Sequence, residues 1–229
     1  MITLHNICKS YRTRGRRRVV LDKLSHQFQP GAKVGILGRN GAGKSTLIRL
    51  IGGEDRPDSG RILRESRVSW PIGFGGCFHG RLTGRENLRF VSRIYGRPIQ
   101  RVTEFVEDFA ELGDYLDLPV NTYSSGMKAK LSFGLSMALE FNFYLVDEVT
   151  AVGDAAFQNK CRAVLDQRRA EAGLILVSHS LGTIKRYCDE ALVLDEGILR
   201  PFESIDQAGA FYERQCLSPV GCRPAAGAQ

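Results

Sequence analysis

The chain has 229 residues, 43% of them hydrophobic and 25% charged, which suits one domain or one domain with an inserted lobe and excludes a long coiled-coil arm. Its longest apolar runs, such as Phe143 to Val146 and Gly173 to Val177, are only a few residues. A membrane-spanning helix needs ~20, and Met1 to Tyr11 lacks the basic start and apolar centre of a signal peptide. Net charge is +7 but uneven: residues 1–101 carry 21 Lys/Arg against 6 Asp/Glu, giving +15, and residues 102–229 carry 11 against 19, giving −8.

In chain order, Ile2 to Tyr11 and Val19 to Phe28 read as strands flanking an arginine-rich stretch, taken as an exposed loop. A short apolar strand, Lys33 to Leu37, runs into a glycine-rich loop and then a helix from Lys44 to about Ile51. Asp55 to Gly60 is turn chemistry, and Gly73 to Gly80, with four glycines, reads as a loop. From Gly84 to Leu118 the pattern is helical, with Phe105, Phe109 and Leu112 on one face and Val102 with Val106. Ser124 or Ser125 can cap a helix through Leu139. Then strand 143–146, helix 155–171, strand 174–178, helix 181–187 and strand 191–194 alternate, which predicts a largely parallel sheet flanked by helices. Asp195-Glu196-Gly197 predicts a hairpin turn, residues 204–215 a last helix, and the Pro-, Gly- and Ala-rich residues beyond it a loose tail. The cysteines at 8, 77, 161, 188, 216 and 222 form no C-x-x-C pair and read as reduced thiols.

Gly38-Arg39-Asn40-Gly41-Ala42-Gly43-Lys44-Ser45-Thr46 fits G-x-x-x-x-G-K-[ST] between a strand and a helix. Glycines let the backbone curl so that its N–H groups surround phosphate oxygens, and the following helix adds its positive end. In this pattern Lys44 reaches the β and γ phosphates of a nucleotide, and the Ser45 hydroxyl is a ligand for Mg²⁺. Asp147 ends the apolar run 143–146, where a carboxylate can hold the Mg²⁺ shell through water. The adjacent Glu148 can polarise an attacking water as general base. His179 closes the run Leu174 to Val177, at the carboxyl end of a strand expected beside the phosphate loop, where the γ-phosphate should lie. The phosphate loop alone leaves kinase, GTPase and transport ATPase open.

Tyr123-Ser124-Ser125-Gly126-Met127-Lys128 resembles the signature of ATP-binding cassette (ABC) ATPases, usually Leu-Ser-Gly-Gly-Gln, and over residues 2–215 the motifs stand in that family's order. Ser69-Trp70-Pro71-Ile72-Gly73, Leu82 to Asn87 and Asp147 to Asp154 are similar to the branch that exports capsular polysaccharide, related to exporters of O-antigen and teichoic acid. The resemblance implies an α/β P-loop NTPase fold of the ABC type. It has a largely parallel sheet core, an N-terminal antiparallel β portion and a helical lobe over about 84–140, as one domain spanning 2–215 with a tail at 216–229.

It also implies ATP and Mg²⁺ as cofactors, and a homodimer that sandwiches ATP head to tail. A separate membrane permease would move lipid-linked polysaccharide from a station on the cytoplasmic face of the inner membrane. Another exported polymer is the alternative cargo. A soluble ABC ATPase acting on nucleic acid or ribosomes fits the length poorly, and no nucleic-acid partner is expected. Within that scheme Ser124, Ser125 and Gly126 meet the γ-phosphate from across the dimer. Tyr11, 27 residues before Gly38, stacks on adenine, a core tyrosine being the alternative, and Asp154 communicates between sites. The sequence departs from the family at Ser125 (usually glycine), Met127 (usually glutamine) and His79, which stands where a glutamine usually senses the γ-phosphate. Imidazole nitrogen is a poorer partner than amide oxygen for hard Mg²⁺, so His79 acts through water if it acts. The five arginines between Arg12 and Arg18 read as a solvated hairpin loop, with attraction to an anionic surface as the other option.

Overall fold

The computed structural model describes residues 1–13, 15–72, 78–147 and 155–217. Strands β1 (Ile2–Thr13) and β2 (Arg16–Phe28) form a long antiparallel hairpin that pairs Ile2 with Phe28 and Tyr11 with Arg18. Its register shifts between Leu4 and Ile7 and again between Ile7 and Ser10, where bulges re-aim the outer half. β3 (Lys33–Leu37) leads to α1 (Lys44–Gly52), and β4 (Ser59–Arg64) returns to pair with the other edge of β1. Ile2, Leu4, Ile7, Leu21, Leu24 and Phe28 are buried on one face of this three-stranded sheet.

The arginine-rich stretch expected to be a loop is strand. Arg12 ends in the β1 ladder opposite Arg17, and Arg16 to Arg18 open β2. Gly15, at φ +78°, lets the chain turn tightly, and cross-strand pairing satisfies the backbone while the charged side chains stay exposed.

The second sheet gathers β3 with β5 (Val68–Ile72), β6 (Phe143–Asp147), β7 (Gly173–Ser178), β8 (Glu190–Asp195) and β9 (Ile198–Pro201), in the order β5-β6-β7-β3-β8-β9. All pairings are parallel except β8 with β9, which turn at Glu196 and Gly197 (φ +48° and +79°) as the Asp-Glu-Gly sequence requires. Helices α2 (Gly84–Ile94), α3 (Ile99–Ala110), α4 (Ser125–Ala138), α5 (Ala155–Glu171), α6 (Leu181–Tyr187) and α7 (Ile205–Leu217) complete the fold.

The helical pattern expected over 84–118 is interrupted. Gly96 takes φ +62°, Pro98 caps α3, and the last turns, Gly113–Asp117, are 3₁₀. Thr83 and Glu86 form a reciprocal capping box on α2. Ser124 is the cap of α4, its Oγ accepting the Met127 N–H at 3.2 Å. α7 continues two residues past its expected end, and residues 218–229 of the expected tail lie outside the described residues.

Side chains of the parallel strands alternate between two cores. Ile175 and Val177 join Ile36, Leu47, Ile48 and Ile51 beneath the antiparallel sheet. Leu174 and Leu176 join Val106, Phe109, Leu131 and Ile184 under the helices. Trp70, on edge strand β5, ties the sheet to α4: its Nε1 donates to Ser136 Oγ at 2.9 Å, and that hydroxyl donates to the Ser132 carbonyl at 2.8 Å. Tyr95 and Phe141 meet the indole edge-on at 5.6 Å each. Cys8, Cys161 and Cys188 are free thiols. Burial pushes Cys161 and Cys188 up to about 12, the chemistry of inert structural cysteines; Cys77 and Cys222 lie outside the described residues. No helix among the described residues is long and apolar enough to cross a membrane.

Candidate nucleotide-binding site

β3 is buried almost throughout, and the chain leaves its carboxyl end at Gly38, where a Cβ would lie 2.8 Å from the Leu194 carbonyl oxygen of β8. The loop then turns through Gly41 and Gly43 at φ +80° and +105°, conformations that a side chain resists. Gly43 is the N-terminal cap of α1, and no side chain among the described residues caps that helix. The positive end of the helix thus points into the loop, where it favours an anion. Lys44 Nζ donates back to the carbonyls of Gly38 (2.6 Å) and Arg39 (3.0 Å), so the ammonium is held within the curl of the loop.

A cavity of about 460 Å³ opens over this loop. It brings together Asn40, Gly41, Gly43, Lys44, Ser45 and Thr46 with Asp147 at the end of β6. Tyr11, Arg18 and Val20 reach it from the hairpin. Gly38 and Ala42 belong to the same loop. Ser45 and Asp147 present hydroxyl and carboxylate oxygens to one cavity, with no histidine or cysteine in its described lining, a donor set that suits Mg²⁺.

Tyr11 is not a core residue: it is 37% exposed and lines the cavity. Its hydroxyl donates to Asp55 Oδ2 at 3.0 Å. Lys9 Nζ bonds Asp55 Oδ1 (2.7 Å) and the Arg56 carbonyl (2.6 Å) and stands 5.3 Å from the Tyr11 ring centroid. The Asp55 carboxyl is pushed up by burial. Hydrogen bonds from Lys9, the Arg56 N–H and Tyr11 outweigh that and hold it below the ordinary carboxylate range. The Tyr11 ring is thus tied by its hydroxyl, beside the Lys9–Asp55 ion pair, to the turn that follows α1.

His179 directly follows β7, whose neighbours are β6 and β3, so it stands between the strand ending in Asp147 and the strand feeding the loop. Its side chain is exposed. Ser124 and Ser125 are exposed at the start of α4, with Gly126 half-buried; none of the three is in the described lining of the cavity. His79 is also exposed and outside that lining. Its N–H donates to Asn87 Oδ1 (2.8 Å) and its carbonyl accepts from Asn87 Nδ2 (3.2 Å). Glu148 and Asp154 lie outside the described residues.

Sequence reasoning missed Arg18 and Val20. Had Gly15 been read as a hairpin turn, the ladder would have set Arg18 opposite Tyr11 and pointed to both.

A model of the ABC transporter family matches residues 21–151. The capsule polysaccharide export ATP-binding protein CtrD of Neisseria meningitidis serogroup B is 52% identical over 212 residues, covering 93% of this chain and 98% of that protein. The polysialic acid transport ATP-binding protein KpsT of Escherichia coli is 49% identical over 217 residues, covering 93% and 99%. Among solved structures, the dimeric ATP-binding cassette MJ0796, in a post-hydrolysis state with ADP and Pi, superposes with a TM-score of 0.74. At 20% identity it covers 90% of this chain and 99% of that one, a likeness of fold. A strand-fed phosphate loop, a carboxylate at a strand end of the same parallel sheet and near-full-length relatives agree: this chain belongs to the ABC transporter family and is one of its ATPase cassettes.

Proposed function

We propose that the protein is the ATP-hydrolysing subunit of an exporter of capsular polysaccharide, stationed on the cytoplasmic face of the bacterial inner membrane. The observation that carries this reading is similarity, along nearly the whole chain, to proteins of capsule polysaccharide export and polysialic acid transport. The phosphate loop cradles the polyphosphate with backbone N–H groups and the Lys44 ammonium, while Tyr11 supports the adenine. Ser45 and Asp147 would hold Mg²⁺, which neutralises charge on the β- and γ-phosphate oxygens when bound. Glu148 serves as general base for the attacking water, and His179, at the end of β7, faces the γ-phosphate.

In this reading two copies pack head to tail. Ser124, Ser125 and Gly126 of one copy close over the nucleotide held by the other, with N–H groups of a helix start as donors. The exposure of that helix start, away from its own chain's cavity, supports the arrangement. Asp154 carries the state of one site to the other, and His79 reaches the γ-phosphate only through water. A separate integral membrane permease provides the path for lipid-linked polysaccharide. ATP-driven closure and reopening of the cassette pair switches its access.

Replacing the gene with a Lys44→Ala version tests the cargo. Turnover should collapse while the fold survives, and polymer should collect inside cells whose surface lacks capsule. A normal surface without internal polymer, given a folded variant and no second exporter, would overturn the polysaccharide assignment.

A further inference from the structure

We propose that Arg18 is a nucleotide-contacting residue, whose guanidinium binds the anionic polyphosphate from the hairpin side of the cavity. The inference rests on the nucleotide site described above and adds a ligand contact to it. Arg18 is the direct cross-strand partner of Tyr11 in the β1–β2 ladder, and both line the cavity with Gly41, Gly43 and Lys44. Its Nη2 donates to the Gly41 carbonyl at 3.3 Å, on the rim of the phosphate loop. The guanidinium therefore stands between the residue that supports the base and the loop that takes the phosphates.

That bond is long and its acceptor neutral, whereas the guanidinium carries five donors in a planar fork. No carboxylate among the described residues pairs with Arg18, while its neighbour Arg17 reaches Asp58 at 4.0 Å. A permanently charged fork at the edge of the cavity over the phosphate loop fits anionic oxygen, which it can bind through two parallel hydrogen bonds. The Gly41 bond already holds the side chain against the loop, so little ordering is needed when the nucleotide arrives. The ligand class is a nucleoside polyphosphate, and the contact responds to its charge.

The test is equilibrium binding of fluorescent ATP and ADP analogues to the full chain and to R18Q, R18K and K44A, with thermal unfolding measured in the absence of nucleotide. R18Q keeps a donor for the Gly41 carbonyl but loses the charge. It should weaken both analogues about tenfold, as for one charge-assisted contact at a partly solvated site, without lowering the unfolding midpoint. R18K should recover part of the loss, and the salt dependence of binding should flatten in R18Q but not in R18K, which keeps the charge. If R18Q binds like the parent while K44A is impaired, Arg18 is not a ligand contact and the site reading stands. If K44A also binds like the parent, the site reading and this inference fall together. If R18Q loses affinity and stability in parallel and R18K behaves like R18Q, Arg18 only braces the loop and the proposal fails.

Discussion

Gly43→Ala probes how the hairpin and the phosphate loop support each other. Two separate costs can be worked from the structure. At φ +105° an L-residue is strained by ~1–2 kcal/mol relative to glycine. The new Cβ would also lie 2.6 Å from Val20 Cγ1, 3.3 Å from the Val20 carbonyl oxygen and 3.4 Å from Leu21 Cδ2. Carbon atoms prefer ~3.5–4.0 Å, so β2 or the loop must give way, at ~1–3 kcal/mol by the usual scale of overpacking. Together Gly43→Ala should destabilise the protein by ~2–5 kcal/mol. Nucleotide affinity should fall as well, because the displaced segment carries the N–H donors.

Urea unfolding measures the first effect and nucleotide titration the second. Val20→Ala separates the two costs, because it removes Cγ1 and leaves the backbone strain. In the double variant ~1–3 kcal/mol should return, read as a coupling energy between the two positions. A Gly43→Ala protein as stable as the parent would refute the strain argument. Strict additivity with Val20→Ala would refute the claim that β2 buttresses the loop.

Two further outcomes follow from polar contacts around the site. Asp55 titrates lower in the folded chain than its ordinary 3.8, so its contribution to stability is present above that value and is lost as pH falls through the folded-state pKa. Asp55→Asn should cost about 1 kcal/mol at neutral pH, discounted for a side chain 30% exposed, and should flatten the acid limb of a urea-midpoint titration; an unchanged slope would count against the ion pair. Asn87 is 1% exposed and its Nδ2 donates to the carbonyls of His79, Leu82 and Thr83. Asn87→Ala should lower stability by ~1–3 kcal/mol and speed hydrogen exchange at the His79 amide, and Asn87→Asp, which aims acceptors at carbonyls, should do worse; parental exchange in either variant would exclude the clamp.

The site's skeleton was legible because its elements are buried and local. Continuous apolar runs marked β3, β6 and β7, and the polar residues ending them, Asp147 and His179, stand where parallel strands would put them. The Ser124-Ser125 pair announces the start of α4 through its capping chemistry, and the structure assigns the cap to Ser124. β4 carries no sequence signal, because Ser59–Arg64 is mostly exposed and shows no alternation; it is a strand only because β1 pairs with it. Edge strand β5 is likewise too short and uneven to show a period, and β9 is signalled only by the Asp195-Glu196-Gly197 turn that precedes it. The arginines concealed a strand for a related reason: charge on an exposed hairpin looks like loop composition. Arg18 and Val20 enter the site by register across β1 and β2, which is fixed only when the turn is placed at Gly15 and not spread as a loop over Arg12 to Arg18.

Trp70 is the chain's single tryptophan, and the structure sets it at the seam where the edge of the sheet meets the helix that Ser124 caps. Ultraviolet emission from the unlabelled protein is therefore dominated by one fluorophore in one place. The indole N–H is engaged by the Ser136 hydroxyl and its ring is surrounded by Tyr95 and Phe141. A sliding of that helix along the sheet would alter both the hydrogen bond and the polarity around the excited indole, shifting the wavelength or the quantum yield. The protein carries its own optical gauge of how far the helix moves against the sheet, readable in real time during a nucleotide titration without a dye.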